Sequence, residues 1–173
     1  PAMQVISEPF TAVLVKGRSN YVCKRRLERA ISESALFDDS ENEKKQLKDI
    51  AAWVEHTKDG STADLSFVPP REIWEKVCSE SDTCTNSQCQ QEGDCFLSKA
   101  RRDVAKADII VVNHHMLFSD LAIKREMGTF TSLAVLPAFE RLIIDEAHHI
   151  EDSATEYFGN EVTQLGMQML MGR

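Results

Sequence analysis

Leu142-Ile143-Ile144-Asp145-Glu146-Ala147-His148 is the most informative segment of this chain. Its first three residues are apolar without polar alternation, which is typical of a parallel strand covered on both faces. Two adjacent acids at the carboxyl end of such a strand are what a nucleotide-dependent motor needs to hold Mg²⁺ and position water. An isolated Asp-Glu pair is more often the first turn of a helix, where it complements the helix dipole. The complete segment favours the motor interpretation.

Two neighbouring histidines, His148 and His149, follow these acids. Histidine is a common zinc ligand, so the pair alone suggests a metal site. Adjacent positions on a helix diverge by about 100 degrees, however. We therefore expect the two side chains to share no ligand face.

Two further apolar runs of strand length lie upstream, from Thr11 to Val15 and from Ile109 to Val112. Both are expected to be buried, and the second, like Leu142 to Ile144, is typical of a parallel strand covered on both faces. The segment from His114 to Arg125 has the pattern of a crossover helix. We therefore predict an α/β fold in which residues 1–17 and 107–173 belong to one partial, open parallel sheet. Residues 18–106 are predicted to form a mainly helical insertion, with helices beginning near Tyr21, Pro70 and Phe96 and a further helix carrying Leu47 to Val54.

Composition limits the broad class of the protein. The chain has 173 residues, 42% of them hydrophobic, and a formal net charge of −8, which is an ordinary globular composition. No apolar run approaches the roughly 20 residues that span a bilayer, and the first residues lack a signal peptide's pattern. These features predict a cytoplasmic protein without a membrane partner.

The five cysteines are unevenly placed, because four of them lie between Cys78 and Cys95. An odd count without an export signal favours reduced thiols, and thiols gathered in this way usually hold metal. Cys84, Cys89 and Cys95 are spaced more widely than the tight pairs of zinc fingers. This spacing fits an iron–sulfur cubane better, since its iron corners spread the thiolates apart. The fourth ligand is then either Cys23 or Cys78, and spacing alone does not decide between them.

Basic residues gather on both sides of these cysteines. Residues 16–29 contain six basic side chains and one acid, and residues 97–106 contain four and one. Such a patch could follow a phosphate backbone, with an aromatic ring for base stacking. Basic residues on helices are more often simply solvated, and aromatic residues are more often part of a core. The candidate nucleic-acid residues are Lys16, Arg18, Tyr21, Lys24, Arg25, Arg26, Lys99, Arg101 and Arg102.

Four segments, taken in order, resemble one known family, the iron–sulfur superfamily 2 helicases of the XPD and bacterial DinG type. Lys16 to Cys23 resembles the stretch that bears the family's first cluster ligand, and Cys84, Cys89 and Cys95 match the DinG-type spacing of the other three ligands. Val111 to His114 resembles the strand and Asn-His that follow the cluster lobe, and Asp145 to His148 resembles the DEAH box.

The resemblance implies a RecA-like sheet and a [4Fe-4S] cluster held by Cys23, Cys84, Cys89 and Cys95, with Cys78 surplus. It implies that the cluster fixes a wedge-like lobe where DNA strands separate, at a single strand or fork junction. In an ATP-dependent parent helicase of DNA repair or replication, Asp145 would hold Mg²⁺ and Glu146 would position water. His148 would link the state of the bound ATP to DNA contact. A cytoplasmic, nucleoid-associated location follows.

Two elements of the family pattern are missing from the sequence. A Gly-rich loop ending in Gly-Lys-Ser/Thr, which cradles nucleotide phosphates, does not occur, and neither does the second RecA-like domain. We expect the remainder of a longer helicase chain to supply both, and this polypeptide not to hydrolyse ATP alone. The alternatives are a zinc-stabilised nucleic-acid-binding module without motor activity, and a nuclease or ATPase of related fold.

Overall fold

A computed structural model describes residues 8–36, 41–81, 84, 95–131 and 134–159 of the chain. It divides into two compact units, here called the cysteine unit (Pro1–Val111) and the C-terminal unit (Val112–Arg173). The strands are β1 (Ala12–Leu14) and β2 (Ile109–Val111). The helices are α1 (Lys24–Leu36), α2 (Glu41–Val54), α3 (Arg71–Val77), α4 (Phe96–Val104), α5 (His114–Glu126) and α6 (Ile150–Phe158).

The two strands, far apart in sequence, form a parallel pair. Ala12 is in register with Ile109, and Leu14 is in register with Val111. This pairing and the six described helices confirm the predicted α/β class with a partial parallel sheet. The expectation that the strands are covered on both faces is wrong, because Leu14 is 57% exposed and Val111 is 51% exposed. The face that carries Leu14 and Val111 is therefore open, and no other described element lies in this sheet.

Helices α1 to α4 enclose the apolar core of the cysteine unit. On α2, Leu47, Ile50 and Val54 recur at helical spacing, and all three side chains are buried, as the sequence pattern predicts. Ile50 packs at the centre with 0% exposure, as does Val77 at the end of α3.

The helix predicted from Tyr21 begins at Lys24 instead. Tyr21 and Val22 form antiparallel bridges with Ser61 and Cys78, so their backbone is extended. Both side chains enter the core from this extended segment, with 5% and 2% exposure. Burial of Val22 is thus achieved without helical periodicity, which is why the apolar pattern alone misplaced the start of α1.

In the C-terminal unit, α5 confirms the predicted helix from His114 to Arg125. The Asn113 side chain caps its first turn by accepting a hydrogen bond from the Met116 N–H at 2.8 Å. Gly128 ends it with φ at 69°, and the Thr129 N–H donates to the Lys124 carbonyl at 3.1 Å. This is the Schellman arrangement, in which a left-handed glycine satisfies the last carbonyls.

The strand predicted over Leu142 to Ile144 does not form. Leu142 is 51% exposed and Ile143 is 95% exposed, so this apolar run has no cover within the C-terminal unit. A parallel strand needs a neighbour for its backbone hydrogen bonds, and within the described ranges no strand lies beside it.

No helix in the described part of the chain is long and apolar enough to span a bilayer.

Candidate metal and nucleic-acid sites

Cys23 and Cys95 each lie immediately before a helix. The Cys23 carbonyl accepts the Leu27 N–H at 2.9 Å, and Cys95 is the N-cap of α4. Lys24 and Phe96, the residues that follow these two cysteines, are in contact, because the Lys24 ammonium lies 5.0 Å from the centre of the Phe96 ring. A side-chain contact thus links the residue after the early cysteine to the residue after a late one. The positive ends of two helices favour negatively charged thiolate ligands there.

Cys84 packs against the same core as Cys95, and both side chains are half-buried. No three sulfur atoms of the described cysteines lie within 4.8 Å of one another. Four thiolates around one tetrahedral ion lie closer than this, since each Zn–S bond is only about 2.3 Å. A cubane spreads its ligands more widely. The fourth predicted ligand, Cys89, lies outside the described residues.

Cys78 differs from these thiols in being almost fully buried, with 4% exposure. Burial raises the pKa of the Cys78 thiol, partly offset by the nearby Arg26 charge. Its Sγ lies 3.8 Å from the Glu75 carbonyl, a weak contact that suits a neutral thiol. A buried, protonated thiol is a poor metal ligand, because the thiolate is the form that binds.

Three of the predicted nucleic-acid residues have roles within the fold. Tyr21 lies in the core, so it is not available for base stacking as expected. The Arg26 guanidinium donates to the Glu75, Lys76 and Cys78 carbonyls at 2.8 to 3.2 Å, and so caps the C-terminal end of α3. The Lys16 ammonium donates to Asp59 at 2.7 Å and to the Ser61 hydroxyl at 2.6 Å.

The other six predicted nucleic-acid residues lie nearer the surface. Arg101 and Arg102 are exposed on α4, and no ion pair or hydrogen bond joins their side chains to a described residue. Lys99 reaches the Lys58 carbonyl at 3.1 Å, and Arg18 reaches the Glu80 carbonyl at 3.3 Å. Lys24 and Arg25 also have contacts and are half-buried. Of the predicted patch, Arg101 and Arg102 are the side chains with most freedom to meet a phosphate.

The predicted nucleotide-site residues lie on a tight, exposed turn of the C-terminal unit. Glu146 has φ 50° and ψ 47°, a left-handed conformation that is uncommon for residues other than glycine. Its N–H donates to the Asp145 carboxylate at 2.9 Å, and its carbonyl accepts the His149 N–H at 3.0 Å. His148 Nδ1 lies 3.3 Å from a Glu146 carboxylate oxygen. Asp145, Glu146 and His148 are therefore adjacent and open to solvent.

The expectation that His148 and His149 share no ligand face is wrong. They lie on a 3-10 turn rather than within an α-helix, and their ring centres are 4.0 Å apart. One ligand atom from each, together with one from Glu146, form a group with all separations within 4.8 Å. The left-handed Glu146 was the missing information, and no sequence signal marks it.

A buried ion pair in the same unit also escaped the sequence reasoning. Asp120 and Lys124, one turn apart on α5, are 0% and 1% exposed, and their charged atoms lie 2.8 Å apart. Asp120 accepts the Val135 and Leu136 N–H groups at 2.9 and 2.8 Å. The Lys124 ammonium donates to the Leu136 carbonyl at 3.0 Å. The i, i+4 spacing of opposite charges was the available signal, but such pairs are usually exposed.

No protein-family profile matches the chain. Proteins named ATP-dependent DNA helicase YoaA, from Haemophilus influenzae and Escherichia coli, are 36% and 37% identical to it over 151 and 155 residues. Each match covers 87% of this chain and 23% of the relative. A Bacillus subtilis protein named 3'-5' exonuclease DinG is 25% identical over 166 residues, covering 95% of this chain and 16% of that protein. The chain thus spans about a quarter or less of the length of these relatives.

Proposed function

Since the chain is homologous to a segment of the DinG- and YoaA-type helicases, as its motifs predicted, we propose that it is the iron–sulfur part of an ATP-dependent DNA helicase. The parent would unwind DNA in repair or replication, in the cytoplasm at the nucleoid. The observation that carries the cluster assignment is the contact between the Lys24 ammonium and the Phe96 ring, at the starts of α1 and α4. Cys23 and Cys95 are the residues next to those two side chains.

We assign the cluster ligands to Cys23, Cys84, Cys89 and Cys95. The three described members are half-buried, reachable by a cofactor and still close to the core. The burial of Cys78 supports leaving it outside the ligand set. A bound [4Fe-4S] cluster would supply covalent cross-linking rather than chemistry, tying the segment before α1 to the segment before α4. Metal–ligand bonds can stabilise a lobe that has little core of its own.

On the nucleotide side, we propose that Asp145 would hold Mg²⁺ and that Glu146 would orient the attacking water. Both carboxylates are exposed on one turn, so both are available to a bound ATP. His148, in contact with Glu146, would transmit the state of the nucleotide towards bound DNA. The phosphate-binding loop and the second RecA-like domain would come from the remainder of the parent, so this chain alone would not hydrolyse ATP.

The cluster is tested by anaerobic purification followed by iron and acid-labile sulfide analysis. We expect about four irons and four sulfides per chain, with visible absorption from thiolate–iron bonds. Serine at Cys23, Cys84, Cys89 or Cys95 should lower the iron content strongly. The matched control is Cys78→Ser, which should retain it. Stoichiometric zinc without sulfide would instead support the zinc-stabilised binding module, and iron loss in Cys78→Ser would contradict the ligand assignment.

We further propose that single-stranded DNA or a fork junction follows the exposed basic face of α4. Arg101→Gln/Arg102→Gln should weaken DNA binding by the cluster-loaded chain and reduce its salt slope by about one per lost phosphate contact. Lys45→Gln/Lys48→Gln removes two exposed charges from α2 and is the matched control. Equal weakening by both double variants would show that only net charge matters, and would contradict an α4 contact.

A further inference from the structure

Glu146, His148 and His149 form a compact set of donors at the start of α6. The left-handed backbone at Glu146 and the 3-10 turn over Ala147–His149 direct these three side chains to the same side. The His148 ring is 4.0 Å from the His149 ring and its Nδ1 is 3.3 Å from the Glu146 carboxylate. Their ligand atoms all lie within 4.8 Å of one another. No other group of three potential ligands is this close among the residues that the structure describes.

The chemistry of this set selects among cations. Two imidazoles and one carboxylate suit zinc and related first-row transition ions, which bind nitrogen donors well. Mg²⁺ is a poor match, because it prefers oxygen ligands and gives up its water reluctantly. The side chains of Glu146 and His148 are each 67% exposed, so an ion can enter from solvent and keep water at its remaining positions.

We propose that Glu146, His148 and His149 form a binding site for a zinc-class transition-metal ion, distinct from both the cysteine site and the proposed Mg²⁺ site. His149 distinguishes this site from the proposed nucleotide site, because the proposed nucleotide chemistry assigns it no role. The ion would take Glu146 as its carboxylate ligand, and therefore it would compete with the water-positioning role proposed for that residue. Binding itself depends on neither the cluster nor helicase activity.

The test uses the full chain and a readout specific to histidine, because zinc also binds thiols. All five cysteines lie in the cysteine unit, whereas His148 and His149 lie in the C-terminal unit. Zinc chloride is titrated into ¹⁵N-labelled protein while the imidazole nitrogen resonances are followed. We expect the His148 and His149 resonances to shift together and to saturate along one common binding curve. Magnesium chloride at the same concentration should leave them in place.

His149→Ala should weaken this zinc binding at least about tenfold, since one of three ligands is removed. His56→Ala, which removes an exposed imidazole from the cysteine unit, is the matched control and should bind as the unmodified chain does. Glu146→Gln tests the carboxylate with little change of shape, and should also weaken binding. The proposal is overturned if the two resonances ignore zinc, if magnesium shifts them equally, or if His149→Ala and His56→Ala bind zinc alike. None of these results bears on iron content, so the cluster proposal is judged separately.

Discussion

The cysteine unit and the C-terminal unit have different kinds of interior. In the cysteine unit the most buried side chains are mainly apolar and come from several elements, with Ile50 and Val77 at 0% exposure. In the C-terminal unit the most buried described side chains are charged, namely Asp120 at 0% and Lys124 at 1%. The interior of the first unit is therefore apolar packing between helices, whereas the most buried described positions of the second hold an ion pair beside apolar residues such as Leu117 and Leu136.

This contrast bears on how the two proposed sites are supported. The cysteine site lies at helix ends on a closed apolar core, so its supports are present in the chain itself. The turn with Asp145 and Glu146 follows an apolar run whose central residue, Ile143, is 95% exposed. In the proposed helicase, strands from the rest of the parent would cover that run. The cysteine unit is thus more self-sufficient than the turn with Asp145 and Glu146.

Breaking the ion pair should have the largest effect. Asp120→Ala leaves the Lys124 ammonium buried without its counter-charge and orphans the Val135 and Leu136 N–H groups. We expect a loss of about 3–5 kcal/mol in the stability of the C-terminal unit. Hydrogen exchange of α5 measures this loss. Tryptophan fluorescence would not report it, because both tryptophans, Trp53 and Trp74, lie in the cysteine unit.

The double variant Asp120→Leu/Lys124→Met is the control for that experiment. Replacing both charges by apolar groups of similar volume is often nearly neutral. It should therefore recover the part of the protection that Asp120→Ala loses to the unpaired charge, while the Val135 and Leu136 N–H groups still lack their acceptor. A single variant with unchanged exchange would show that the pair does not organise this unit.

The same substitution in the two units sharpens the contrast. Ile50→Ala empties a site with 0% exposure and should cost about 2–5 kcal/mol. Ile143→Ala removes the same atoms from a side chain that is 95% exposed, and should change stability by less than about 0.5 kcal/mol. Urea unfolding followed by tryptophan fluorescence measures the first, and exchange of α6 measures the second. Comparable losses would mean that Leu142 to Ile144 are packed in solution.

Two left-handed glycines offer a third comparison. Gly60 has φ 65°, and a Cβ there would overlap the Phe96 ring, whereas Gly128 has φ 69° and open space around it. Gly128→Ala should cost about 1–2 kcal/mol from backbone strain. Gly60→Ala adds a steric cost of about 1–3 kcal/mol, because Phe96 must move.

A displaced Phe96 would also displace Cys95, its neighbour in the chain. Gly60→Ala should therefore lower the iron content after anaerobic reconstitution, and Gly128→Ala should not. Equal iron contents would indicate that the Phe96 contact does not position the ligand.

Several elements could be predicted from the sequence because local pattern and tertiary packing agree. The stripe from Leu47 to Val54 forms a helix with its apolar face buried, and the run from Ile109 forms a parallel strand. The run at Leu142 is equally apolar, yet it forms no strand. A strand depends on hydrogen bonds to a neighbour, so sequence pattern predicts a capacity to form one rather than its presence.

The candidate sites likewise depend on tertiary contacts that the sequence pattern does not show. Spacing singled out Cys84, Cys89 and Cys95 but could not choose between Cys23 and Cys78, whose difference in burial only the fold shows. Composition placed Tyr21 and Arg26 in a DNA patch, although one fills the core and the other caps α3. The approach of His148 and His149 depends on one backbone conformation at Glu146 that no propensity favours.

The smallest expected effect concerns the ion pair at the edge of the cysteine unit, between Lys16 and Asp59. Burial alone would raise the pKa of Asp59, but hydrogen bonds from Lys16 and Ser61 outweigh it and hold the pKa below its usual value. A lowered folded-state pKa contributes stability above the unfolded value, about 3.9, and this stability is lost as the pH falls through the folded value. Because Asp59 is 48% exposed, the contribution is less than about 1 kcal/mol. Asp59→Asn should therefore be less stable than the unmodified chain at pH 6, and the difference should shrink below pH 4 in urea unfolding followed by tryptophan fluorescence. A difference that stays constant with pH would assign the effect to the lost Ser61 contact rather than to charge.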